Sequence, residues 1–343
     1  MATVERTERP LVLTIGDPAG IGPDIALYAF AARKREQVPA FVLIGDPAVL
    51  AARARTLGLD VTIAELAGIA EGPGRFAHAL PLLPIEGPGE VVAGRPDRAA
   101  ATLITASIER AVALVLEGAA SAVVTNPIAK SVLYGAGFAF PGHTEYLAAL
   151  AAPKGQPLHP VMMLVSPALK AVPVTIHVPL KEVPRLLTRP LIVKTIAITA
   201  EGLDRYFGIK HPRLAVSGLN PHAGEEGSMG SEEVDIIAPA IEEARALGIE
   251  ASGPYPADTM FHEAARAAYD AAICMYHDQA LAPFKTLAFE EGVNATLGLP
   301  FIRTSPDHGT AFALAGTGKA RPRSLIEALR LAAAMSARAG ARA

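Results

Sequence analysis

What most constrains the fold of this chain is an alternation of two patterns. Short runs rich in Val, Ile and Leu have the length and composition of buried strands. They are "PLVLTIG" (10–16), "AFVLIGD" (40–46), "SAVVTNP" (121–127), "VMMLVS" (161–166), "AVPVTIH" (171–177), "RLAVSGLNP" (213–221), "AAICMYH" (271–277) and "VNATLG" (293–298). Helical spacing lies between several of them: 23–34, opened by Pro23, the Ala-rich 47–58, the apolar stretch around 99–118, 232–248, stopped by Gly248, and 323–338. Strands that recur with intervening helices predict a mostly parallel α/β sheet. A chain of 343 residues exceeds the usual single core, so two domains or one large α/β unit is expected. The Pro/Gly-rich segment 70–96 shows neither period and reads as a long surface excursion or a hairpin arm.

Composition narrows the function classes. Half the residues are apolar, enough for a sizeable core, and 31 basic against 34 acidic residues give a formal charge of −3. That balance offers no electrostatic footprint for nucleic acid or an anionic membrane, although a few local cations suffice for a small anion. The only cysteine, Cys274, excludes an intrachain disulfide and reads as a small buried hydrophobe. "MATVERTERP" has no apolar signal region, and the longest apolar segments are broken by charge or glycine before membrane length; a soluble, cytoplasmic protein is expected.

Three of the nine histidines share a context: His177 ends "AVPVTIH", His222 follows "RLAVSGLNP" and His277 ends "AAICMYH". Open α/β sheets bind ligands outside the carboxyl ends of their strands, so three imidazoles at such ends can converge. Three neutral histidines with open positions describe a catalytic divalent-metal site, zinc first; the bland alternative is a set of hydrogen-bonded strand-end histidines, and no H-x-x-x-H pair decides between them. In "FPGHTEYL", His143 and Thr144 follow a Pro-Gly turn at the start of a helical run, where backbone N–H groups favour an anion and Thr144 or Glu145 could be a plain cap. The segment 285–310 sets Lys285, Asn294, Arg303 and His308 in loop-like surroundings suited to a phosphate or carboxylate. No G-x-G-x-x-G follows a strand, and "GDPAGIGPD" (16–24) has neither Rossmann nor P-loop spacing. From these residues alone the chain reads as an α/β enzyme with a small anionic ligand and a possible metal.

Together, "PGHTEYL", "TIHVPL", "GLNPHAGE", "PADTMF", "MYHDQ" and "GVNATLGLPFIRTSPDHGT" resemble, in order, the 4-hydroxythreonine-4-phosphate dehydrogenase family of vitamin B6 biosynthesis, and the likeness covers nearly the whole chain. It implies an isocitrate/isopropylmalate dehydrogenase-like fold of two α/β domains with a cleft between them. The first domain would span about 1–128 plus 292–343 and the second 129–291, with the dimer interface. It also implies a homodimer whose active site is shared between subunits, a nicotinamide cofactor (NAD or NADP), and one divalent metal, zinc with magnesium or cobalt as alternatives.

Residue by residue, the resemblance places metal ligands at His177, His222 and His277 and substrate contacts at His143, Thr144, Lys285, Asn294 and Arg303. Asp258 and Asp278 match acidic positions suited to acid/base or supporting roles. A further likeness of "GDPAGIGPD" and "DHGTAFALAGTGKA" to the "GDGIGPE" and "HGSAPDIAGKG" loops of more distant relatives implies that His308, Gly309 and Thr310 lie near the cofactor's adenosine. Ser228, where some relatives carry histidine, and Ala280, where glycine is frequent, are the departures. The implied reaction is NAD-dependent oxidation of the C3 hydroxyl of 4-phosphooxy-L-threonine to a β-keto acid that loses CO₂ to give 3-amino-2-oxopropyl phosphate. Sister dehydrogenases acting on phosphorylated threonate, erythronate or a dihydrodiol carboxylate share these motifs. A metal-free phosphate acyltransferase on a related fold and a non-catalytic binding protein are the readings from other classes.

Overall fold

In the computed structural model, residues 9–140, 142–153 and 156–341 are described. The N-terminal decapeptide through residue 8 and the Pro141 half of the Pro-Gly turn lie outside them. The strands among the described residues are β1 (Leu11–Thr14), β2 (Phe41–Gly45), β3 (Ile63–Glu65), β4 (Leu80–Pro84), β5 (Ala122–Thr125) and β6 (Val161–Val165), then β7 (Lys170–Pro173), β8 (Leu214–Ser217), β9 (Ala251–Tyr255), β10 (Ala271–Cys274), β11 (Val293–Leu297) and β12 (Arg303–Pro306). The chain divides into two compact units, Met1–His159 with Leu299–Ser336, and Pro160–Gly298 with Ala337–Ala343.

In the first unit the strand order is β3-β4-β2-β1-β5-β12, every neighbouring pair parallel. β1 sits at its centre, registered Leu11↔Phe41 on one side and Leu11↔Ala122 on the other. All four of its residues are buried, as expected of a parallel strand covered on both faces. The helix Ala101–Leu116 packs on β1, β2 and β5 and buries Leu103, Ile104, Ile108 and Val112. By length and composition the stretch Arg98–Leu116 could cross a membrane, contrary to our expectation that no segment reaches that length. Half of it is buried inside the unit, which is the pattern of a core helix. The Pro/Gly-rich segment 70–96 also corrects the sequence expectation, because its "LPLLP" is β4, paired between β2 and β3 rather than looped out on the surface.

The second unit carries the order β11-β6-β7-β10-β8-β9. β6 runs antiparallel to both β11 and β7, while β7, β10, β8 and β9 are mutually parallel, so the parallel expectation holds for four of these six strands. Its sheet packs a core of Leu164, Ala171, Ala215, Ala272, Cys274 and Phe284, among others. Burial pushes the Cys274 thiol up to about 12, so it is the inert apolar residue its neighbours suggested. The helix Arg189–Phe207, to which no element was assigned from sequence, opens on a Thr188 cap with Pro190 in its first turn and closes on left-handed Gly208.

Candidate functional site

The second unit brings the carboxyl ends of β7, β10 and β8 side by side, and each chain leaves its strand towards one candidate histidine. The β7–β10 pairing continues past the strands: Val174 N–H donates to Cys274 O (2.7 Å) and Thr175 Oγ1 to Met275 O (2.8 Å). That carries His177 and His277 out together, and their rings lie 5.7 Å apart, centroid to centroid. Both line a cavity of about 280 Å³ with Thr175, Tyr276 and Asp278. The Nδ1 of His277 shares a 2.6 Å hydrogen bond with Asp278 Oδ1, which fixes the ring and leaves Nε2 for a ligand.

His222, five residues beyond β8, sits exposed in the turn Pro221–Gly227. Among the described residues no group of three or more His, Cys, Asp or Glu could hold a metal ion, so the structure joins His177 to His277 and does not join His222 to them. Two of the three nevertheless share a rare backbone state, with φ of 51° at His177 and 53° at His222. Non-glycine residues persist there only when their surroundings hold them, and such positions concentrate at functional sites.

Gln279, quoted within "MYHDQ" but given no role from sequence, organises this end of the sheet. It is buried in the first turn of the helix His277–Ala288, accepts from Met275 N–H (2.6 Å) and Ser217 Oγ (2.8 Å), and donates to Gly218 O (2.8 Å). It thereby ties the segment that starts His277 to the segment that leads to His222. A buried polar residue on an otherwise apolar helix face was the signal that could have found it. Asp258 is exposed on the turn Ala257–Thr259, which packs against the His222 turn.

The substrate candidates fall on regular elements, which corrects the loop-like surroundings expected for three of them. Lys285 lies on the helix His277–Ala288, its Nζ 5.8 Å from the Phe289 ring centroid, and Asn294 lies on β11 with a buried Oδ1 that has no hydrogen-bond partner among the described residues. Arg303 opens β12 and is only 3% exposed. Its Nε and Nη2 both donate to Thr125 Oγ1, at 3.2 and 2.7 Å. Burial pulls its pKa down to about 10, opposed by the Glu145 carboxylate, so the guanidinium stays charged at neutral pH.

His143, Thr144 and Glu145 form the first turn of the helix His143–Ala151, whose cap position, Gly142, supplies no side-chain bond. A Cβ on Gly142 would fall 2.8 Å from Glu145 Oε2 and 3.5 Å from Lys130 Nζ, so a side chain there would push the Glu145 carboxylate aside. Phe138, Phe140 and Tyr146 pack ring against ring at 4.8–5.3 Å and buttress this helix start.

The His143 Nε2 is buried with no hydrogen-bond partner among the described residues, and desolvation, helped by the Arg303 charge, holds its pKa well below the usual imidazole value. Unfolding lets this ring take up a proton that the folded state refuses. It therefore lowers stability as pH falls through about 6.5, and that loss is absent at higher pH. Replacing His143 by Asn is expected to flatten the fall in Tm between pH 7 and pH 5; identical slopes in both proteins would contradict the assignment.

His308, Gly309 and Thr310 follow β12 in the first unit. Thr310 O accepts from Ile21 N–H (3.0 Å), which seats their loop on "GDPAGIGPD". Two residues that sequence inspection left without a role clasp both loops. Arg53 is 4% exposed and Asp24 fully buried; they form an ion pair in which Arg53 also donates to Gly20 O (2.9 Å) and Pro18 O (2.8 Å) while Asp24 Oδ1 accepts from Gly316 N–H (2.7 Å).

The chain as a whole has counterparts among known proteins. A sequence model of the family described as "Pyridoxal phosphate biosynthetic protein PdxA" matches residues 37–332. A 4-hydroxythreonine-4-phosphate dehydrogenase of Xanthobacter autotrophicus is 57% identical over 324 residues, covering 94% of this chain and 92% of that protein. The protein of the same name from Methylorubrum extorquens is 59% identical over 328 residues, covering 95% and 94%. Among solved structures, a 4-hydroxythreonine-4-phosphate dehydrogenase from Klebsiella pneumoniae superposes with a TM-score of 0.84 at 38% identity, covering 96% of this chain and 98% of that one. The α/β fold class expected from sequence is the one found, shared with the 4-hydroxythreonine-4-phosphate dehydrogenase structure. A family model over residues 37–332 and relatives of one name, 57–59% identical over nearly the whole length, place the chain in the pyridoxal phosphate biosynthetic protein PdxA family, as an oxidoreductase of the dehydrogenase type.

Proposed function

We propose that this chain is a cytoplasmic, homodimeric enzyme of pyridoxal 5′-phosphate biosynthesis that oxidises the C3 hydroxyl of 4-phosphooxy-L-threonine with NAD or NADP. The resulting β-keto acid loses CO₂ to give 3-amino-2-oxopropyl phosphate. The observation that carries the reading is the pair His177 and His277, 5.7 Å apart at adjacent strand ends, with Asp278 holding the second nitrogen of one ring. This donor set suits a divalent cation that accepts imidazole, zinc or cobalt ahead of magnesium, because a carboxylate behind an imidazole is the usual support of a metal-binding histidine. His222 is the third ligand, and in the homodimer the set is completed between the two copies.

A divalent cation held by these histidines would supply Lewis acidity at the alcohol oxygen, and a nicotinamide cofactor would supply the hydride acceptor. The chain's own residues do the rest. Arg303, held on Thr125, and Lys285 neutralise the phosphate and carboxylate of the substrate, His143 and Thr144 at a helix start add hydrogen bonds, and Asn294 offers its unpartnered oxygen to a donor. Asp278 is engaged by His277, so Asp258 takes the hydroxyl proton. His308, Gly309 and Thr310 line the approach for the adenosine of the cofactor.

Equal amounts of reduced cofactor and CO₂ per 4-phosphooxy-L-threonine consumed are the expected outcome; cofactor reduction without CO₂ release would restrict the chemistry to simple alcohol oxidation. Replacing Arg303 or Lys285 by Met is expected to raise KM by about tenfold or more, since a hydrogen bond to a charged group contributes roughly 1.5–3 kcal/mol. The effect on kcat should be smaller, and an unchanged KM in both variants would contradict the substrate assignment.

A further inference from the structure

The most strained stretch of backbone in the second unit is the one that carries His222. From His222 to Glu226 five consecutive residues have left-handed angles, with φ of 53°, 54°, 77°, 42° and 56°, and only Gly224 among them is glycine. Single glycines visit this region routinely, whereas a run of other residues forms a left-handed turn in which each Cβ crowds the following carbonyl oxygen. Such a turn survives only where its surroundings over-determine it.

Here the surroundings centre on one side chain. Glu233 is 3% exposed and enters from a π-helical turn, Glu233–Ile237, a widened geometry that often marks functional positions. Its Oε1 accepts from the backbone N–H groups of Leu219 and Asn220, both at 2.7 Å, and its Oε2 accepts from Asn220 Nδ2 at 3.0 Å. The same carboxylate lies against the middle of the turn, where a Cβ on Gly224 would fall 2.5 Å from Oε2. Beyond the turn, Met229 N–H closes on Gly224 O (3.1 Å) and Ser228 N–H on Glu225 O (3.2 Å).

We infer that Glu233 is a positioning residue for His222: its buried carboxylate clamps the entry and the centre of the left-handed turn and so sets the direction in which the imidazole is presented. The inference rests on the assignment of His222 as a metal ligand. A glutamine at 233 is nearly isosteric, yet its amide nitrogen faces the Asn220 amide, donor against donor, and the clamp opens.

The test uses the full-length, metal-stripped protein titrated with Co²⁺ and followed by visible absorption, alongside Tm and hydrogen exchange of residues 219–226. Glu233→Gln is expected to lower Co²⁺ affinity by about ten- to a hundredfold, the usual effect of losing a supporting partner, and to raise exchange in 219–226. In a His222→Ala background the same substitution should change affinity no further. Wild-type affinity in Glu233→Gln, with a clear loss in His222→Ala, would overturn the positioning role. Wild-type affinity in His222→Ala would instead remove the ligand assignment and with it the inference. If Glu233→Gln melts below the assay temperature, Asn220→Ala, which leaves both backbone bonds to Glu233, carries the same expectation at roughly two- to fivefold, and its failure is equally decisive.

Discussion

Replacing His277 by Ala is expected to abolish turnover and strip the protein of its divalent metal without unfolding it. The ring stands at the first position of the helix His277–Ala288, its side chain 35% exposed, and its partner Asp278 is 83% exposed. A pair that open to solvent contributes little to stability, so circular dichroism and Tm should stay close to wild type. The catalytic loss is large for a different reason. Removing one ligand takes away the cation's stabilisation of developing charge, worth several kcal/mol, and each 1.36 kcal/mol is a factor of ten, so kcat should fall by roughly a thousandfold or more. Metal analysis after dialysis checks the cause, and full metal occupancy in the variant would sink the assignment of His277.

The second large effect is one of stability. Arg53→Met removes the guanidinium from a pair in which both partners are buried and leaves the Asp24 carboxylate uncompensated. Breaking a buried pair from one side costs about 3–5 kcal/mol. At about 2–4 °C per kcal/mol for a unit of this size, Tm should drop by roughly 10 °C. The carbonyls of Pro18 and Gly20 lose their donor in the same step, so both Gly-rich loops loosen together. The double variant Arg53→Met/Asp24→Leu should recover much of the loss, because no charge is then buried alone. A Tm within 2 °C of wild type in Arg53→Met would show that the pair does not hold these loops.

The strands of this fold were legible where β-branched and leucine runs are long enough to stand out, as in β1, β2, β5 and β10. They were illegible where composition points elsewhere. β4 carries two prolines and is flanked by Pro/Gly pairs, and its strand state comes from pairing on both sides rather than from local preference. β12, "RTSP", has no apolar pattern because its Arg303 is satisfied by a hydroxyl 178 residues away, a relation no window of sequence displays. The helix Arg189–Phe207 begins "RPLIVKTIAIT", β-branched enough to mask its helical spacing, although Thr188, Pro190 and Gly208 mark both of its ends.

For the candidate site the same division holds. Histidines at strand ends are visible in sequence, and so is the family they resemble. Most supports are not: Thr125, the Asp24–Arg53 clasp and the left-handed turn at 222–226 all depend on hydrogen bonds and ion pairs that only the folded chain brings together.

We propose metal-dependent, nicotinamide-linked oxidation of a phosphorylated hydroxy amino acid as the reaction of this chain. NAD reduction with 4-phosphooxy-L-threonine, measured on the intact protein after chelation and again after restoring zinc, magnesium or cobalt, tests it most directly. No reduction is expected in the stripped enzyme, with recovery when a divalent metal returns. Full-rate reduction by verified metal-free protein, or none under either condition, would contradict it.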